Sequence, residues 1–175
     1  MLVDALIATP FMLVWFPDEY STEVIRLMSR SSTGPWVGAL LRQTWQGVRA
    51  HIDEAVRRAG YEDIGRAHIA LFRHPTLDRM RPSELAQELR VSKQAVNDLL
   101  RDLERAGYLR REVDPEDRRG RLIRLTDKGI ELEDIIRIAA RDAEVRLERE
   151  LGRARLRTLR SALIDAAAVL NNRGS

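Results

Sequence analysis

The sequence predicts a mainly α-helical protein that carries one small β-hairpin. Three observations support this fold class. Apolar residues recur every three or four positions through most of residues 35–170, turn residues separate these periodic segments, and two short arginine-rich segments flank a loop at 114–120 that contains Pro and Gly. The chain has 175 residues, of which 44% are hydrophobic, and this is enough to bury a core.

The first 34 residues differ from the rest of the chain. They contain the longest apolar run, Phe11 to Phe16, which lies between two prolines. The run is shorter than the roughly 18 residues of a membrane-spanning helix, and no basic residue precedes it as in a signal peptide. We therefore expect a non-exported, cytoplasmic protein. The segment could be an arm that packs on a dimer, a loosely ordered tail, or the product of a translation start placed too early.

The first strong helix is predicted at residues 35–60. Pro35 suits the first helical position, which needs no amide hydrogen, and the apolar positions keep a helical spacing until Gly60 ends the helix. A second helix is predicted to stop at Pro75. Its apolar face contains Ile64, His68, Leu71 and Phe72.

Two short helices joined by a tight turn follow. The first is predicted from Pro82 to Leu89, with the turn at Arg90–Val91. The Ser92 hydroxyl is a good N-cap for the second helix, which runs from Lys93 to about Ala106 and stops at Gly107. The predicted buried stripe of this second helix is Ala95, Val96, Leu99, Leu100 and Leu103.

A β-hairpin and two longer helices complete the chain. The strands are predicted at Tyr108–Val113 and Arg121–Leu125, and Arg79–Arg81 could add a third, very short strand. Thr126 caps the next helix, and Gly152 separates it from the last one. Their apolar stripes are Leu132, Ile136, Ala139, Ala143, Leu147 and Leu151 in the first, and Leu156, Leu159, Leu163, Ala167 and Leu170 in the second.

This order of elements is typical of a winged helix-turn-helix DNA-binding domain, which we place at residues 61–126. The helical regions on either side, 35–60 and 127–175, carry apolar faces that so small a domain cannot cover. A second copy of the chain would bury the remainder, so both regions are predicted to form a helical dimerisation region.

The helix after Ser92 carries side chains that suit DNA recognition. Gln and Asn pair with adenine, Lys and Arg pair with guanine, and a helix N-terminus attracts phosphate. We predict recognition-helix contacts at Ser92, Lys93, Gln94, Asn97 and Arg101. The wing loop should add Asp117, Arg118, Arg119 and Arg121, with an arginine in a minor groove and Asp117 holding it in place.

Several segments resemble the MarR family of transcriptional regulators. They are Arg81-Pro-Ser-Glu-Leu-Ala-Gln-Glu-Leu, Val91-Ser-Lys-Gln-Ala-Val, Leu103-Glu-Arg-Ala-Gly-Tyr-Leu, Asp114-Pro-Glu-Asp-Arg-Arg and Arg124-Leu-Thr-Asp-Lys-Gly129. The resemblance covers Pro35 to the C-terminus and is sharpest from Pro82 to Gly129. It implies a triangular homodimer with interlocked terminal helices and two winged lobes in successive major grooves. DNA contacts are implied at Ser92, Lys93, Gln94 and Asn97, with Arg119 at the wing tip.

The chain departs from the family pattern in two places. Arg81 stands where the family often has a Ser or Thr cap, so we expect a looser start of the first helix of the motif. The segment of more than thirty residues at the N-terminus is the second departure.

The resemblance also implies a small-molecule effector, often aromatic or phenolic, bound between the dimer helices and the DNA-binding lobe. Candidate lining residues are Trp36, Trp45, His51, His68 and Phe72. A structural role is the favoured interpretation of each one, because Trp45 lies in an apolar stripe and His68 suits a hydrogen-bonded core histidine. The three histidines lack metal-ligand spacing, and no cofactor is expected.

Other function classes are disfavoured. The absence of cysteine excludes disulfides, zinc fingers and thiolate chemistry. The sequence has no Gly-rich phosphate loop and no nucleophile elbow, so we do not expect an enzyme. The net charge is only +3, so the distribution of charge is the better argument for DNA. The alternative is an architectural or protein-docking winged helix without sequence preference. The family's common mode favours a repressor on a pseudo-palindromic operator, although the sequence leaves activation open.

Overall fold

A computed structural model describes residues 36–74, 76–117 and 120–171. The N-terminal segment at 1–34 and the wing residues Arg118 and Arg119 therefore lie outside the described residues. The chain divides into two units, with the boundary between Gly47 and Val48. Helix α1 (Val37–Arg58) contains the boundary between them.

The second unit has the predicted order of elements, and this confirms the mainly α-helical class with one hairpin. No helix in the described part of the chain is long and apolar enough to cross a membrane. The elements after α1 are α2 (Arg66–Phe72), α3 (Pro82–Glu88), α4 (Lys93–Arg105), β1 (Leu109–Val113), β2 (Arg121–Leu125), α5 (Asp127–Leu151) and α6 (Arg153–Asn171). We call residues 66–125, from α2 to β2, the winged lobe.

The two strands pair antiparallel, with Leu109 opposite Leu125 and Val113 opposite Arg121. The third strand expected at Arg79–Arg81 is wrong, since the sheet in the described residues has two strands. The segment does bond to β2, because Arg79 N donates to Ile123 O at 2.7 Å and Ile123 N donates to Met80 O at 2.9 Å. However, Arg79 has φ +73°, so the backbone turns away after these two bonds instead of remaining extended.

The turn between α3 and α4 is a tight helix ending followed by a capped helix start. Arg90 N donates to Gln87 O, and Val91 N donates to Ala86 O, both at 3.1 Å. This pair of bonds requires a left-handed residue, and Arg90 supplies it at φ +55° without being glycine. The Ser92 hydroxyl then accepts a hydrogen bond from Ala95 N at 3.1 Å, which confirms the predicted N-cap.

The core of the winged lobe continues into α1 and α5. Helix α4 buries Val96, Leu100 and Leu103 and half-buries Leu99, as predicted. Ala95 is exposed, because it lies about 100° around the helix from Val96 and thus outside the inward face. The other large, fully buried side chains are Ile52, Val56, Leu71, Leu77, Leu85, Tyr108, Leu109, Ile123 and Leu132.

Helix α5 begins directly against the base of the wing. Thr126 accepts from Gly129 N at 3.2 Å, as the predicted N-cap, and donates its hydroxyl to Gly107 O at 2.7 Å. A Cβ on Gly129 would lie 2.0 Å from Tyr108 O, so only glycine allows this approach. Tyr108 is buried and donates to Asp63 at 2.6 Å; burial and this hydrogen bond raise the pKa of Tyr108 above its usual range.

Helix α6 is different from every other helix of the second unit. Gly152 ends α5 at Leu151, as predicted, and in the described residues α6 packs mainly on α5. None of its described side chains is fully buried, although Leu156 is half-buried. Leu159 and Leu163 are 39% and 37% exposed, and Ile164 is 63% exposed. A long apolar surface is therefore left without a partner in the second unit.

Candidate nucleic-acid interface

The N-terminal end of α4 presents the first predicted contact residues. Ser92, Lys93 and Gln94 are all exposed. The Ser92 hydroxyl oxygen is engaged by Ala95 N, which leaves its own hydrogen available as a donor. The side chains therefore stand at the positive end of the helix dipole, where a phosphate is favoured.

Asn97 lies one turn further along α4 and is held on both sides of its amide. Its Nδ2 donates to Lys93 O at 2.9 Å, and its Oδ1 accepts from Arg111 Nη1 at 3.4 Å. The side chain is half-buried. The predicted base-contacting amide is thus oriented by a side chain from the first strand of the wing.

Arg111 is itself fixed by Glu104 of α4. Its Nε and Nη2 donate to Glu104 Oε2 at 3.0 and 2.7 Å, and its backbone N donates to Oε1 at 3.2 Å. The hydrogen bond from the Arg111 side chain lowers the pKa of Glu104. Glu104 and Arg111 were not predicted as site residues. Their charges are visible in the sequence, but only the packing of β1 against α4 shows that they meet.

Arg101, the last predicted residue of the recognition helix, is exposed and paired. Its Nη2 donates to Asp98 Oδ1 at 2.8 Å within the same helix. An exposed pair of this kind is weak, so the guanidinium is available to a stronger anion such as a phosphate.

A cleft of about 370 Å³ separates the N-terminal end of α4 from the wing. It brings four predicted residues together, namely Lys93, Asn97, Asp117 and Arg121. The remaining lining residues are Arg81, Pro82, Ser83 and Gly120. Three cationic side chains therefore face one cleft together with the restrained amide of α4.

The described part of the wing contains two of its predicted residues, Asp117 and Arg121. Arg121 is exposed, but the carboxylate of Asp117 lies 3.9 Å from Arg81 Nη1, so Asp117 faces the helix-turn-helix. The arginines that Asp117 was expected to hold, Arg118 and Arg119, lie outside the described residues. Arg124 forms ion pairs with Glu112 at 3.2 Å and with Asp78 at 3.3 Å, so its charge is used within the winged lobe.

Arg81 does not loosen the start of α3. Pro82 occupies the first helical position, and the Glu84 carboxylate accepts a hydrogen bond from Arg81 N at 3.2 Å. The Arg81 side chain instead crosses to the wing, where it donates to Asp114. No residue pattern indicated this pairing, because most of the helix-turn-helix motif lies between the two residues in the chain.

The five residues predicted to line an effector pocket lie in different environments. In the first unit, Trp36 is 64% exposed and Trp45 is 38% exposed. In the second unit, His51 is half-buried, and His68 accepts a hydrogen bond from Gly65 N at 3.2 Å through Nδ1. Phe72 is buried, with its ring edge-on to Tyr108 at 6.3 Å between centroids. The hydrogen bond of His68 and the burial of Phe72 agree with structural roles.

Comparison with known proteins places the winged lobe in a family. Residues 69–120 match the model of the MarR family. Among solved structures, the chain is similar to the transcriptional regulator PA3341, with 29% identity over 79% of this chain and 100% of that chain and a TM-score of 0.63. No match was found among curated protein sequences.

Two further solved structures agree with this assignment. The transcriptional regulator Tm0710 from Thermotoga maritima is 26% identical over 75% of this chain and 92% of that chain, with a TM-score of 0.53. A structure of MarR is 26% identical over 79% of this chain and 95% of that chain, with a TM-score of 0.61. The motifs, the fold and these likenesses therefore agree: the chain is similar to transcriptional regulators of the MarR family, whose model matches its residues 69–120.

Proposed function

We propose that the protein is a homodimeric transcriptional regulator that binds a pseudo-palindromic DNA operator in the cytoplasm. The observation that carries this proposal is the single cleft shared by the N-terminal end of α4 and the wing, with Arg81, Lys93 and Arg121 along it. A recognition helix enters the major groove with its N-terminal residues at the bases, while a wing follows the adjacent backbone or minor groove.

The side chains divide into two roles. Ser92, Lys93, Arg101 and Arg121 are exposed donors and suit phosphates, which supply affinity without sequence information. Gln94 and Asn97 suit base edges, because an amide can donate to and accept from adenine at the same time. From the sequence alone we add Arg118 and Arg119 at the wing tip, supported by Asp117.

The proposed dimer rests on the uncovered apolar faces. Leu159, Leu163 and Leu170 recur at helical spacing on α6 and remain exposed. In the first unit, Trp36, Val37 and Leu40 are also exposed. An identical chain is the proposed occupant, because a two-fold dimer would place two winged lobes on half-sites about 10 base pairs apart.

We further propose that the regulator represses and that a small aromatic or phenolic molecule releases it from DNA. The support is the resemblance to the MarR family and the aromatic and histidine side chains at Trp36, Trp45, His51, His68 and Phe72. A panel of phenolic acids, added to the protein bound to its operator, tests this proposal. Release by one compound at a concentration that leaves the protein folded supports it, and no release by any member of the panel contradicts it.

Selection of bound DNA from a random pool, at about physiological salt, tests the function itself. We expect an inverted repeat to be enriched. The alternative function, an architectural or protein-docking winged helix, predicts an unenriched pool and binding that disappears as the salt concentration rises.

Two substitutions then separate the roles on the selected site. Asn97→Ala should cost about 1–3 kcal/mol and relax preference at one base pair, whereas Arg121→Ala should weaken binding to all sequences alike. Arg146→Ala is the matched control, because it removes the same charge from the exposed surface of α5. Unchanged affinity in both Asn97→Ala and Arg121→Ala would mean that another surface binds DNA.

A further inference from the structure

Arg81 and Asp114 form an ion pair between the helix-turn-helix and the wing. Arg81 Nε donates to Asp114 Oδ2 at 2.8 Å, and Nη2 donates to the same oxygen. The Asp114 side chain is 5% exposed, and Asp114 is the one buried charged residue in the described part of the chain. A buried carboxylate needs such partners, because leaving it unpaired would be strongly unfavourable.

The other oxygen of Asp114 organises the wing loop. Oδ1 accepts from Glu116 N at 2.9 Å, and Asp114 N donates to Gly120 O at 3.2 Å. Gly120 packs so closely that an added Cβ would lie 3.3 Å from Asp114 Cβ. Asp114 therefore connects the described ends of the wing loop through Oδ1 and its backbone N. It binds Arg81 through Oδ2.

The pair also lies between the helix-turn-helix and the wing, which must bind DNA together under the proposed function. Arg81 directly precedes Pro82, at the start of the helix-turn-helix, and lines the same cleft as Lys93 and Arg121. Its guanidinium is directed to Asp114, with Asp117 3.9 Å away. Most of its charge is thus already neutralised by carboxylates of the wing.

We propose that Arg81 is a positioning residue whose ion pair with Asp114 fixes the angle of the wing relative to the recognition helix. In this arrangement Lys93 and Arg121 face one continuous stretch of DNA. The inference rests on the proposed DNA-binding function and assigns a role to the residue that departs from the family pattern. Its competitor is a direct role, in which Arg81 leaves Asp114 and binds a phosphate.

The two roles predict opposite signs for Asp114→Asn. If Arg81 positions the wing, the substitution weakens DNA binding, by about tenfold, although it removes a negative charge. If Arg81 binds phosphate, the substitution frees the guanidinium and binding becomes tighter. Asp102→Asn is the matched control, because it removes a carboxylate from the exposed Arg105–Asp102 pair of α4. Tighter binding by Asp114→Asn, beyond that of the control, overturns the proposal.

A double-mutant cycle adds a second criterion. Arg81→Met keeps the aliphatic stem of the side chain and removes its charge. Under the positioning role, the double variant Arg81→Met/Asp114→Asn binds DNA no more weakly than the worse single variant, because both changes break one pair. Additive losses would mean that the two residues act separately and would contradict the proposal.

Hydrogen exchange on the DNA-free protein separates this inference from the proposed function. The amides of β1 and β2 should exchange several-fold faster in both single variants, while those of α5 remain as protected as in the unsubstituted protein. If the unsubstituted protein bound no DNA, the proposed function would fail, yet faster exchange would still establish that the pair holds the wing. Unchanged exchange in a folded variant would overturn the positioning role.

Discussion

The winged lobe and helix α6 differ in how far their apolar side chains are buried. In the winged lobe, apolar side chains such as Val96 and Leu100 are buried within one chain, and the Arg81–Asp114 pair joins the helix-turn-helix to the wing. In the described residues, helix α6 packs mainly on α5, and Leu159, Leu163 and Leu170 remain exposed. The core of the winged lobe is therefore formed within one chain, whereas α6 leaves apolar side chains exposed.

This difference separates two parts of the proposed function. Internal contacts hold the cleft between α4 and the wing, so under the proposed function one chain would have the geometry for a half-site. Helix α6 would determine how two such lobes are spaced. Substitutions in α6 should alter assembly and leave the lobe folded, whereas substitutions at the lobe's internal contacts should alter its stability.

The largest effect is expected from Leu163→Glu in α6. In a two-fold dimer the change occurs twice, and losing two buried leucines and burying two carboxylates should cost about 4 kcal/mol or more. The dissociation constant of the dimer should thus rise by about 1000-fold, as measured by sedimentation equilibrium. Ser161→Glu, on another face of the same helix, is the control and should leave the dimer intact. An unchanged association state for Leu163→Glu would mean that α6 is not the interface.

Gly129→Ala should produce the next largest effect, on the stability of the second unit. The new Cβ would lie 2.0 Å from Tyr108 O, a backbone atom, so α5 or the base of the wing must move. We expect the free energy of unfolding to fall by about 3 kcal/mol, as measured by urea denaturation. Gly47→Ala is the control, because its Cβ would meet nothing within 4 Å and it lies inside a helix. Equal stability of both variants would contradict the close approach.

Acid should destabilise the winged lobe through three carboxylates. Hydrogen bonds lower the pKa of Glu104 through Arg111, of Glu112 through Arg110 and of Asp114 through the backbone of Glu116 and then Arg81. Because these pKa values are lower in the folded state, their stabilisation is complete above the unfolded values, near 4, and is lost as the pH falls through the folded ones.

Urea denaturation between pH 6 and pH 3 measures this loss. The urea concentration at the unfolding midpoint should decrease mainly below pH 4. In Asp114→Asn this midpoint should decrease less steeply with falling pH. Burial acts in the opposite sense at Glu133 of α5, whose pKa is raised. A midpoint that stayed constant to pH 3 would show that the three pairs do not stabilise the lobe.

The smallest effect is expected at the turn of the helix-turn-helix. Arg90 has φ +55°, a conformation that costs a non-glycine residue about 1 kcal/mol. Arg90→Gly should therefore raise the free energy of unfolding by up to about 1 kcal/mol, as measured by thermal denaturation. Gly107 ends α4 with the same pair of hydrogen bonds at φ +77°, so Gly107→Ala should lower stability by a similar amount. A decrease in stability for Arg90→Gly would show that the arginine side chain has a role of its own.

Much of the fold could be predicted from the sequence because its signals are local. Helical spacing located the helices, and the hydroxyls of Ser92 and Thr126 located two helix starts. Arg121–Leu125 was predicted with its observed bounds. The resemblance included Gly129, and the structure supplies its physical reason, which is the approach of Tyr108.

The features that sequence analysis missed depend on contacts between distant segments. The pairing of Arg81 with Asp114 depends on how the wing lies beside α3, and the contact of Arg111 with Asn97 depends on how β1 packs against α4. Arg79 bonds to β2 but leaves the extended conformation, which no residue pattern indicated. The residue types of the candidate site were therefore predictable, but the contacts that orient them were not.

The most direct test of this account is the stoichiometry and footprint of the protein on its selected operator. We predict two chains per duplex and two protected half-sites about 10 base pairs apart. Under the same conditions, Leu163→Glu should remain folded, as judged by circular dichroism, and bind the operator far more weakly. One chain bound per duplex at full affinity, or an undiminished footprint with Leu163→Glu, would contradict the division between a winged lobe formed within one chain and an α6 covered by a second copy.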